Sequence, residues 1–166
     1  YAEAGEVRVD ETATILVLNN QEFRLPLAVV FNSIYRPGPS RLNVLQHFKG
    51  WVIHTEQSVF DPTRASLMDF RVHQQEGTTF AYVLPFDEHT ALVEYTLFTP
   101  ALLRPEQYDQ ELRNYIRDFL GIKEYSVKEE EFGIIPMTDE KFSIHRNGVI
   151  HIGTAGGQTK ASSGYT

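Results

Sequence analysis

One segment of this 166-residue chain has the periodicity of an amphipathic helix, and it lies among segments with the character of strands. Pro105 suits the first turn of a helix, and Gly121 suits the position just beyond the last turn. Between them, apolar residues recur every three or four positions, at Tyr108, Leu112, Tyr115, Ile116 and Phe119. Such a stripe has to be buried, so the fold must offer one helix an apolar surface.

The rest of the chain is predicted to form strands, because β-branched and aromatic residues fill short segments between turn residues. Asn19 and Asn20 suit a hairpin turn, and the Pro-Gly-Pro at 37–39 and Asp61-Pro62 are breaks. The predicted strands are 6–10, 12–18, 22–25, 28–32, 44–57, 66–73, 78–84, 91–99, 125–135 and 149–152. A mostly antiparallel or mixed sheet with one packed helix belongs to the α+β class, which is the fold we predict.

The composition argues against several classes of function. The formal net charge is −7, whereas a nucleic-acid surface needs clustered Lys and Arg, so no nucleic-acid partner is predicted. The chain has no Cys, which excludes disulfides, thiolate zinc sites and thiol nucleophiles. Its six His form no compact ligand pair, so we predict no metal site. Its apolar runs are too short to span a bilayer.

Glu94 lies in the middle of an otherwise apolar and aromatic strand, 91–99. Alternation places Leu92, Glu94, Thr96 and Phe98 on one face of that strand, and both faces are largely apolar. Glu94 therefore either lies on a solvated face or is held among apolar neighbours. In the second case burial would raise its pKa and make it a plausible acid.

Three other groups of residues need an interpretation. Asp69 and Arg71 are either a surface ion pair or part of a site with Glu94. The acidic run 128–132 is predicted to be a solvated strand edge, with Glu129 and Glu131 on the same face. The turn after strand 149–152 is either a tight structural turn or a place where backbone N–H groups approach a phosphate or cofactor. It consists of Gly153, Thr154, Ala155, Gly156 and Gly157.

Eight short stretches occur in an order that is typical of one enzyme family. They are LQHFKGW (45–51), FDP (60–62), MDFR (68–71), YVLPF (82–86), VEYT (93–96), GIIPM (133–137), GTAGG (153–157) and SGYT (163–166). Together they resemble the flavin-dependent lycopene cyclases of carotenoid synthesis, in the bacterial branch close to the plant β-cyclases. The resemblance covers most of the chain from about Val29 onward.

The resemblance implies a division of the chain and a parent flavoprotein. Residues 1–147 would be a substrate-facing, β-rich domain that resembles the substrate domain of aromatic-hydroxylase-type flavoproteins. Residues 148–166 would begin the returning flavin-binding segment, with cofactor contacts at 153–157. The N-terminal dinucleotide-binding part of the family is absent from this sequence, and both ends are expected to be cut points in a longer chain. The implied cofactors are reduced FAD and NAD(P)H as its reductant.

The resemblance also implies the reaction and its residues. The substrate would be lycopene or another linear carotene, cyclised without net redox change by a cytoplasmic protein peripheral to the membrane. Glu94 and Asp69 match carboxylates of family motifs and would be catalytic, although the glutamate that follows the first one in the family is Tyr95 here. By position, four aromatic residues would line the substrate: Trp51, Phe70, Phe80 and Tyr82.

Two other functions are compatible with the sequence. The chain could be the substrate domain of a redox flavoprotein, such as a prenyl reductase or an aromatic hydroxylase. It could instead be a small β-rich module that binds lipid or a protein partner without catalysis. In the redox flavoprotein the flavin would do redox work and Glu94 would be structural.

Overall fold

A computed structural model describes residues 4–10, 12–26, 29–38, 40–41, 43–74, 77–146 and 148–160. Within these ranges the chain forms strands and one α-helix, which confirms the predicted α+β class. The elements are β1 (Ala4–Val9), β2 (Ala13–Leu18), β3 (Gln21–Pro26), β4 (Val30–Asn32), β5 (Asn43–His54), β6 (Ser66–Asp69), β7 (Thr78–Pro85), β8 (Thr90–Thr99), α1 (Pro105–Asp118), β9 (Ser126–Thr138), β10 (His145–Arg146) and β11 (Val149–His151).

The chain divides into two compact units. One unit is Asn43–Met137, and the other combines Tyr1–Leu42 with Thr138–Thr166. The predicted start of a flavin-binding segment at residue 148 stays a prediction. In the unit that combines two segments, β11 of the second segment pairs in parallel with β4 of the first. Val149 is opposite Val30, and His151 is opposite Asn32.

The unit Asn43–Met137 is a five-stranded sheet with the order β6-β7-β8-β5-β9. β8 is the central strand, and it pairs antiparallel with β7 on one side and with β5 on the other. The predicted meander of three consecutive strands is therefore present. Its first strand is shorter than predicted, since β6 ends at Asp69 and Met68 has a positive φ of 52°.

The helix α1 covers one face of this sheet. Its first turn is closed by Gln107, whose Oε1 accepts the Arg104 N–H at 3.0 Å, and Pro105 occupies the first turn as predicted. Four of the five predicted stripe residues are at most 1% exposed, namely Tyr108, Leu112, Tyr115 and Ile116. The fifth, Phe119, is 38% exposed because it lies just beyond the last turn, where it stacks on Tyr115. Gly121 has a left-handed φ of 71°, as expected beyond a helix end.

The core lies between α1 and the odd-numbered residues of β8. Val93 and Leu97 are fully buried, and Trp51 and Ile53 of β5 belong to the same cluster. Because successive strand residues point to opposite faces, the even-numbered residues of β8 lie on the other face of the sheet.

A buried polar chain joins β5, β8 and α1 within this core. His47, which is fully buried, lies 2.7 Å from Thr99 Oγ1 through Nε2 and 2.6 Å from the Tyr108 hydroxyl through Nδ1. Thr99 donates its single hydroxyl proton to the Ala101 carbonyl, so it must accept from His47 Nε2. The Tyr108 hydroxyl accepts the Leu103 N–H and is left to donate to Nδ1. Every group is satisfied when His47 is neutral.

We expect His47 to remain neutral at pH 6, with the proton on Nε2. Burial lowers the pKa of this imidazole, and only the Ala101 backbone opposes the effect. An ordinary histidine has a pKa of about 6.5 and is mostly protonated at pH 6. Because the unfolded chain protonates its histidine at a higher pH than the folded chain does, the stability from this network is complete above the unfolded-state pKa of about 6.5. It is lost as the pH falls below that value. Long-range ¹H–¹⁵N NMR of the complete protein reports the tautomer, and an imidazolium signal for His47 at pH 6 would contradict it.

The second unit contains two small sheets. β1, β2 and β3 form an antiparallel sheet, and the predicted turn at Asn19 and Asn20 joins β2 to β3 with φ values of 48° and 62°. Both values suit a two-residue hairpin turn. The other sheet has the order β10-β11-β4, in which the two-residue β10 was not predicted.

Candidate functional site

Glu94 lies at the centre of the sheet face that does not pack against α1. Its cross-strand neighbours are Tyr82 on β7 and Gly50 on β5. The fully buried Thr96 donates a hydrogen bond from Oγ1 to Glu94 Oε1 at 2.6 Å. We call this surface the Glu94 face and define it by the even-numbered residues of β5, β7 and β8 together with Glu131 of β9.

The environment of Glu94 favours its protonated form. The side chain is half-buried, and burial raises the pKa of this carboxyl to about 7. The Thr96 hydrogen bond acts in the opposite direction, while the nearby Glu131 carboxylate raises the pKa further. A pKa near neutrality is the property that lets a carboxyl donate a proton under physiological conditions.

Glu131 reaches this site from the edge strand β9, where it is exposed, as the sequence pattern predicted for the acidic run. The methylene and carboxylate of Glu131 lie over Gly50: a Cβ atom built at Gly50 would be 2.7 Å from Glu131 Oε1 and 2.8 Å from Glu131 Cγ. Gly50 is also the direct cross-strand partner of Glu94. A glycine inside a strand often marks close approach of another group, and this was the available signal.

Two of the four aromatic residues predicted to line a substrate, Phe80 and Tyr82, lie on the Glu94 face, and a third, Phe70, packs against Phe80. Phe80 is central: its ring centroid is 5.2 Å from that of Tyr82 and 5.5 Å from that of Phe70, both in edge-to-face geometry. Phe98, which was not predicted, has its centroid 6.1 Å from Phe80. The aromatic cluster thus reaches Glu94 through its cross-strand neighbour Tyr82.

Trp51, the fourth aromatic residue predicted to line the substrate, does not lie with the others. It is on the opposite face of the sheet from Glu94. Its cross-strand partner is Val93, and it is 3% exposed within the core beneath α1. Lys49 and Arg113 lie 5.8 and 5.4 Å from its ring centroid. Trp51 is thus a core residue and does not face Glu94.

Asp69 also lies on the α1 side, so the structure does not bring it together with Glu94. Its Oδ2 accepts a hydrogen bond from the Tyr115 hydroxyl of α1 at 2.8 Å, and its Oδ1 accepts from Arg71 Nε at 2.8 Å. These contacts hold the pKa of Asp69 well below its usual range, with Arg71 as the largest cause. A carboxylate held ionised in this way joins β6 to α1 and is unsuited to donating a proton.

The Gly-rich turn in the other unit directly follows β11. Residues Gly153–Gly156 form one turn of 3-10 helix, and Gly157 follows with a left-handed φ of 71°. The Gly153 N–H donates to Gln158 Oε1 at 2.7 Å. A Cβ at Gly156 would overlap the His151 carbonyl, and one at Gly157 would lie 2.6 Å from Phe142. Close packing alone therefore requires both of these glycines.

A cavity of about 600 Å³ adjoins this turn within the same unit. Ala155 of the turn contributes to its wall, and so do three cationic residues, Arg36, Lys141 and Arg146. Glu6 and Glu140 are also present, and the Glu140 carboxylate accepts hydrogen bonds from the Tyr35 hydroxyl and the Gly38 N–H. The volume is in the range of cofactor sites, and the cations suit the phosphates of a dinucleotide.

In the part of the chain that the structure describes, no group of three or more His, Asp or Glu is placed to hold a metal ion. In the same residues, no helix has the length and apolar character needed to cross a membrane.

The chain matches known proteins in sequence and in fold. Residues 1–166 match the family described as lycopene cyclase protein. A curated lycopene beta-cyclase of Pseudescherichia vulneris is 35% identical over 75 residues, which are 43% of this chain and 19% of that protein. The chain therefore aligns with about a fifth of that relative.

The solved structures that resemble this chain include flavin-dependent proteins. A geranylgeranyl bacteriochlorophyll reductase-like protein of Thermoplasma acidophilum has a TM-score of 0.69 at 14% identity, covering 98% of this chain and 43% of that one. A flavin-dependent brominase triple mutant has a TM-score of 0.56 at 10% identity, covering 93% and 44%. At these identities the likeness concerns the fold, which agrees with the predicted resemblance to a flavoprotein substrate domain.

Proposed function

The chain belongs to the lycopene cyclase family, and from this premise we propose that its parent protein cyclises the ends of lycopene or another linear carotene. The chain would supply the substrate-facing part of that enzyme. The observation that carries the proposal is the half-buried carboxyl of Glu94 at the centre of a sheet face, beside Tyr82 and the ring of Phe80 that packs on it.

The proposed reaction is an isomerisation. A proton adds to a terminal C=C bond, and the resulting carbocation is attacked by a neighbouring C=C bond, which closes a six-membered ring. A proton then leaves an adjacent carbon and restores a double bond, giving a β-ionone ring. No electrons are gained or lost, so the site needs an acid, stabilisation of a cation and exclusion of water.

Glu94 is proposed to donate the proton. Its pKa of about 7 keeps the carboxyl protonated in much of the protein at neutral pH. After transfer, the carboxylate remains beside the carbocation and stabilises it electrostatically, and the hydrogen bond from Thr96 Oγ1 fixes its orientation.

The aromatic side chains of the Glu94 face are proposed to hold the polyene and stabilise its cationic form. Phe80 and Tyr82 are at most 8% exposed, and Phe98 lies beside Phe80. Ring faces attract cations, most strongly where water is excluded. Phe70 is 53% exposed and is placed to contact an apolar ligand.

We propose that the Gly-rich turn Gly153–Gly157 and the cations Arg36, Lys141 and Arg146 contribute to holding FAD in the parent protein. Bound in its reduced form, with NAD(P)H as the reductant, FAD would supply a negative charge or an acid–base group for the cyclisation. The role of these residues would be to bind and orient the cofactor. Asp69 is left out of the chemistry, because Arg71 and Tyr115 already bind its carboxylate.

The substrate is expected to dissolve in the bilayer, so the parent protein is proposed to work at the cytoplasmic surface of a membrane as a peripheral protein. Exposed apolar side chains in the unit Asn43–Met137, such as Leu67 and Phe70, are compatible with such a membrane contact. A flotation assay of the complete protein with liposomes tests this part of the proposal.

The test is pigment analysis in a lycopene-accumulating bacterium that expresses the complete protein. We expect β-carotene or γ-carotene to replace lycopene, and no conversion with an empty vector. If the well-expressed protein leaves lycopene unchanged, the substrate assignment fails.

The competing function is a redox flavoprotein, and it is favoured by the fold likeness to a reductase-like protein. The two differ in the fate of the flavin electrons. Adding substrate anaerobically to the reduced complete protein should leave the flavin spectrum reduced if the reaction is an isomerisation. Oxidation in proportion to the product would support the redox function.

A further inference from the structure

We propose that Glu131 is a positioning residue, whose carboxyl reaches across the backbone of Gly50 and shares one proton with Glu94. The inference rests on the proposed role of Glu94 as the acid. It adds a second carboxyl, contributed by a strand that comes after α1 in the sequence.

The placement of Glu131 follows from the register of three strands. β5 lies between β8 and β9, and Gly50 of β5 is the direct partner of Glu94. A Cβ at Gly50 would be 2.7 Å from Glu131 Oε1, so the Glu131 side chain occupies the space that any other residue at position 50 would fill. It therefore points along the Glu94 face towards β8.

The neighbouring residues on β9 confirm which face each side chain occupies. Glu130 pairs with Lys49 at 3.0 Å, and Lys49 also pairs with Asp109 of α1, so both lie on the α1 side. Phe48 covers Gly133, where a Cβ would overlap its ring. Glu131 and Gly133 thus share the Glu94 face, and Glu130 does not.

A second carboxyl that reaches across Gly50 disfavours the ionised form of Glu94, so the proton that the two share is expected to stay on Glu94. Glu131 is exposed and Glu94 is half-buried, so the charge is less costly on Glu131 and the proton favours Glu94. The Glu131 charge also raises the pKa of Glu94, in addition to the larger effect of burial. The proposed cyclisation returns the proton it consumes, so the pair would begin and end each cycle in the same state.

Other titratable groups face Glu94 less directly. Tyr82 of β7 is its other cross-strand neighbour, and Thr96 of β8 supplies the hydrogen bond. Glu129 lies two residues from Glu131 on the same face of β9 and is exposed. From β5, the partner residue Gly50 has no side chain. Glu129 is therefore the matched control for removing one negative charge from this edge.

The test follows the Glu94 carboxyl directly by infrared spectroscopy of the complete, flavin-bound protein. The C=O band of protonated Glu94 is identified as the band lost in Glu94→Gln, and its amplitude is measured against pH. We expect a midpoint near pH 7 for the wild-type protein. Glu131→Gln should move the midpoint to lower pH by about one unit, because a neighbouring negative charge is removed.

Two variants separate this effect from a general one. Gly50→Ala should move the midpoint in the same direction, because its methyl group displaces the Glu131 carboxyl, whereas Glu129→Gln should leave the midpoint in place. The proposal is overturned if Glu131→Gln does not move the midpoint, or if Glu129→Gln moves it equally. Glu131→Gln decides the question even if Gly50→Ala fails to fold.

Activity provides an independent reading. With a midpoint one unit lower, Glu131→Gln should cyclise lycopene about tenfold more slowly at pH 8, yet at nearly the wild-type rate at pH 5.5, where Glu94 is protonated in both. A residue needed only for folding would lower the rate equally at both values. If the infrared midpoints move as expected but the wild-type protein does not cyclise lycopene, the carboxyl pair stands and the proposed function fails.

Discussion

Cyclisation of lycopene is expected to fall by about 10²- to 10⁴-fold when Glu94 is replaced with Gln in the complete protein, because a positioned acid contributes about that much to a rate. The amide has nearly the same shape, and its oxygen can still accept the Thr96 hydrogen bond, so the sheet should keep its structure. Pigment analysis at matched protein levels measures the loss. In the wild-type protein, where the acid must be protonated, the rate should decline as the pH rises through about 7.

Asp69→Asn is the informative comparison for this experiment. Asp69 matches a family carboxylate, but its side chain binds Arg71 and Tyr115 on the other face of the sheet. We expect this variant to lower the amount of folded protein while the activity per folded molecule is retained. Equal conversion of lycopene by wild-type protein and Glu94→Gln would return Glu94 to a structural role. A loss of specific activity in Asp69→Asn alone would move the chemistry to the α1 side.

The second large effect is expected for stability. Leu112→Ala should lower the free energy of unfolding of the unit Asn43–Met137 by about 3 kcal/mol, within the range of about 2 to 5 observed for buried leucines. Leu112 is fully buried between α1 and the sheet, where surrounding side chains cannot readily close the cavity. Urea unfolding of the complete protein, followed by circular dichroism, measures the change.

Gln110→Ala is the control for this substitution, since Gln110 is an exposed residue of the same helix whose amide donates a hydrogen bond to Asn114 Oδ1. Its effect should stay within about 0.5 kcal/mol. If Leu112→Ala is as mild as Gln110→Ala, α1 is not packed on the sheet as the structure indicates.

Local features of this fold could be predicted from the sequence, because neighbouring residues determine them. The stripe from Tyr108 to Ile116 specifies one buried helix face, and the two asparagines at 19 and 20 specify a hairpin. The strand order β6-β7-β8-β5-β9 depends instead on contacts between distant segments. No periodicity within β9 indicates that it joins β5.

The errors at the site have this same origin. Trp51 and Glu94 could be assigned to opposite faces only once the register that pairs Gly50 with Glu94 was known. The acidic run is solvated on an edge strand, as predicted, but only the placement of β9 beside Gly50 shows that Glu131 also approaches Glu94. The spacing of Asp69 and Arg71 correctly suggested an ion pair, but the two residues meet across a turn because β6 ends at Asp69.

The alternation along β8 has a consequence for how such an enzyme can change during evolution. Odd-numbered positions such as Val93 and Leu97 are fully buried against α1, and even-numbered positions such as Glu94 and Phe98 lie on the other face. Under the proposed function, selection for folding and selection for substrate preference therefore act on alternate positions of this ten-residue strand. A lineage could then acquire a new substrate through substitutions at the even-numbered positions of β8, while the core residues at the odd-numbered positions stay unchanged.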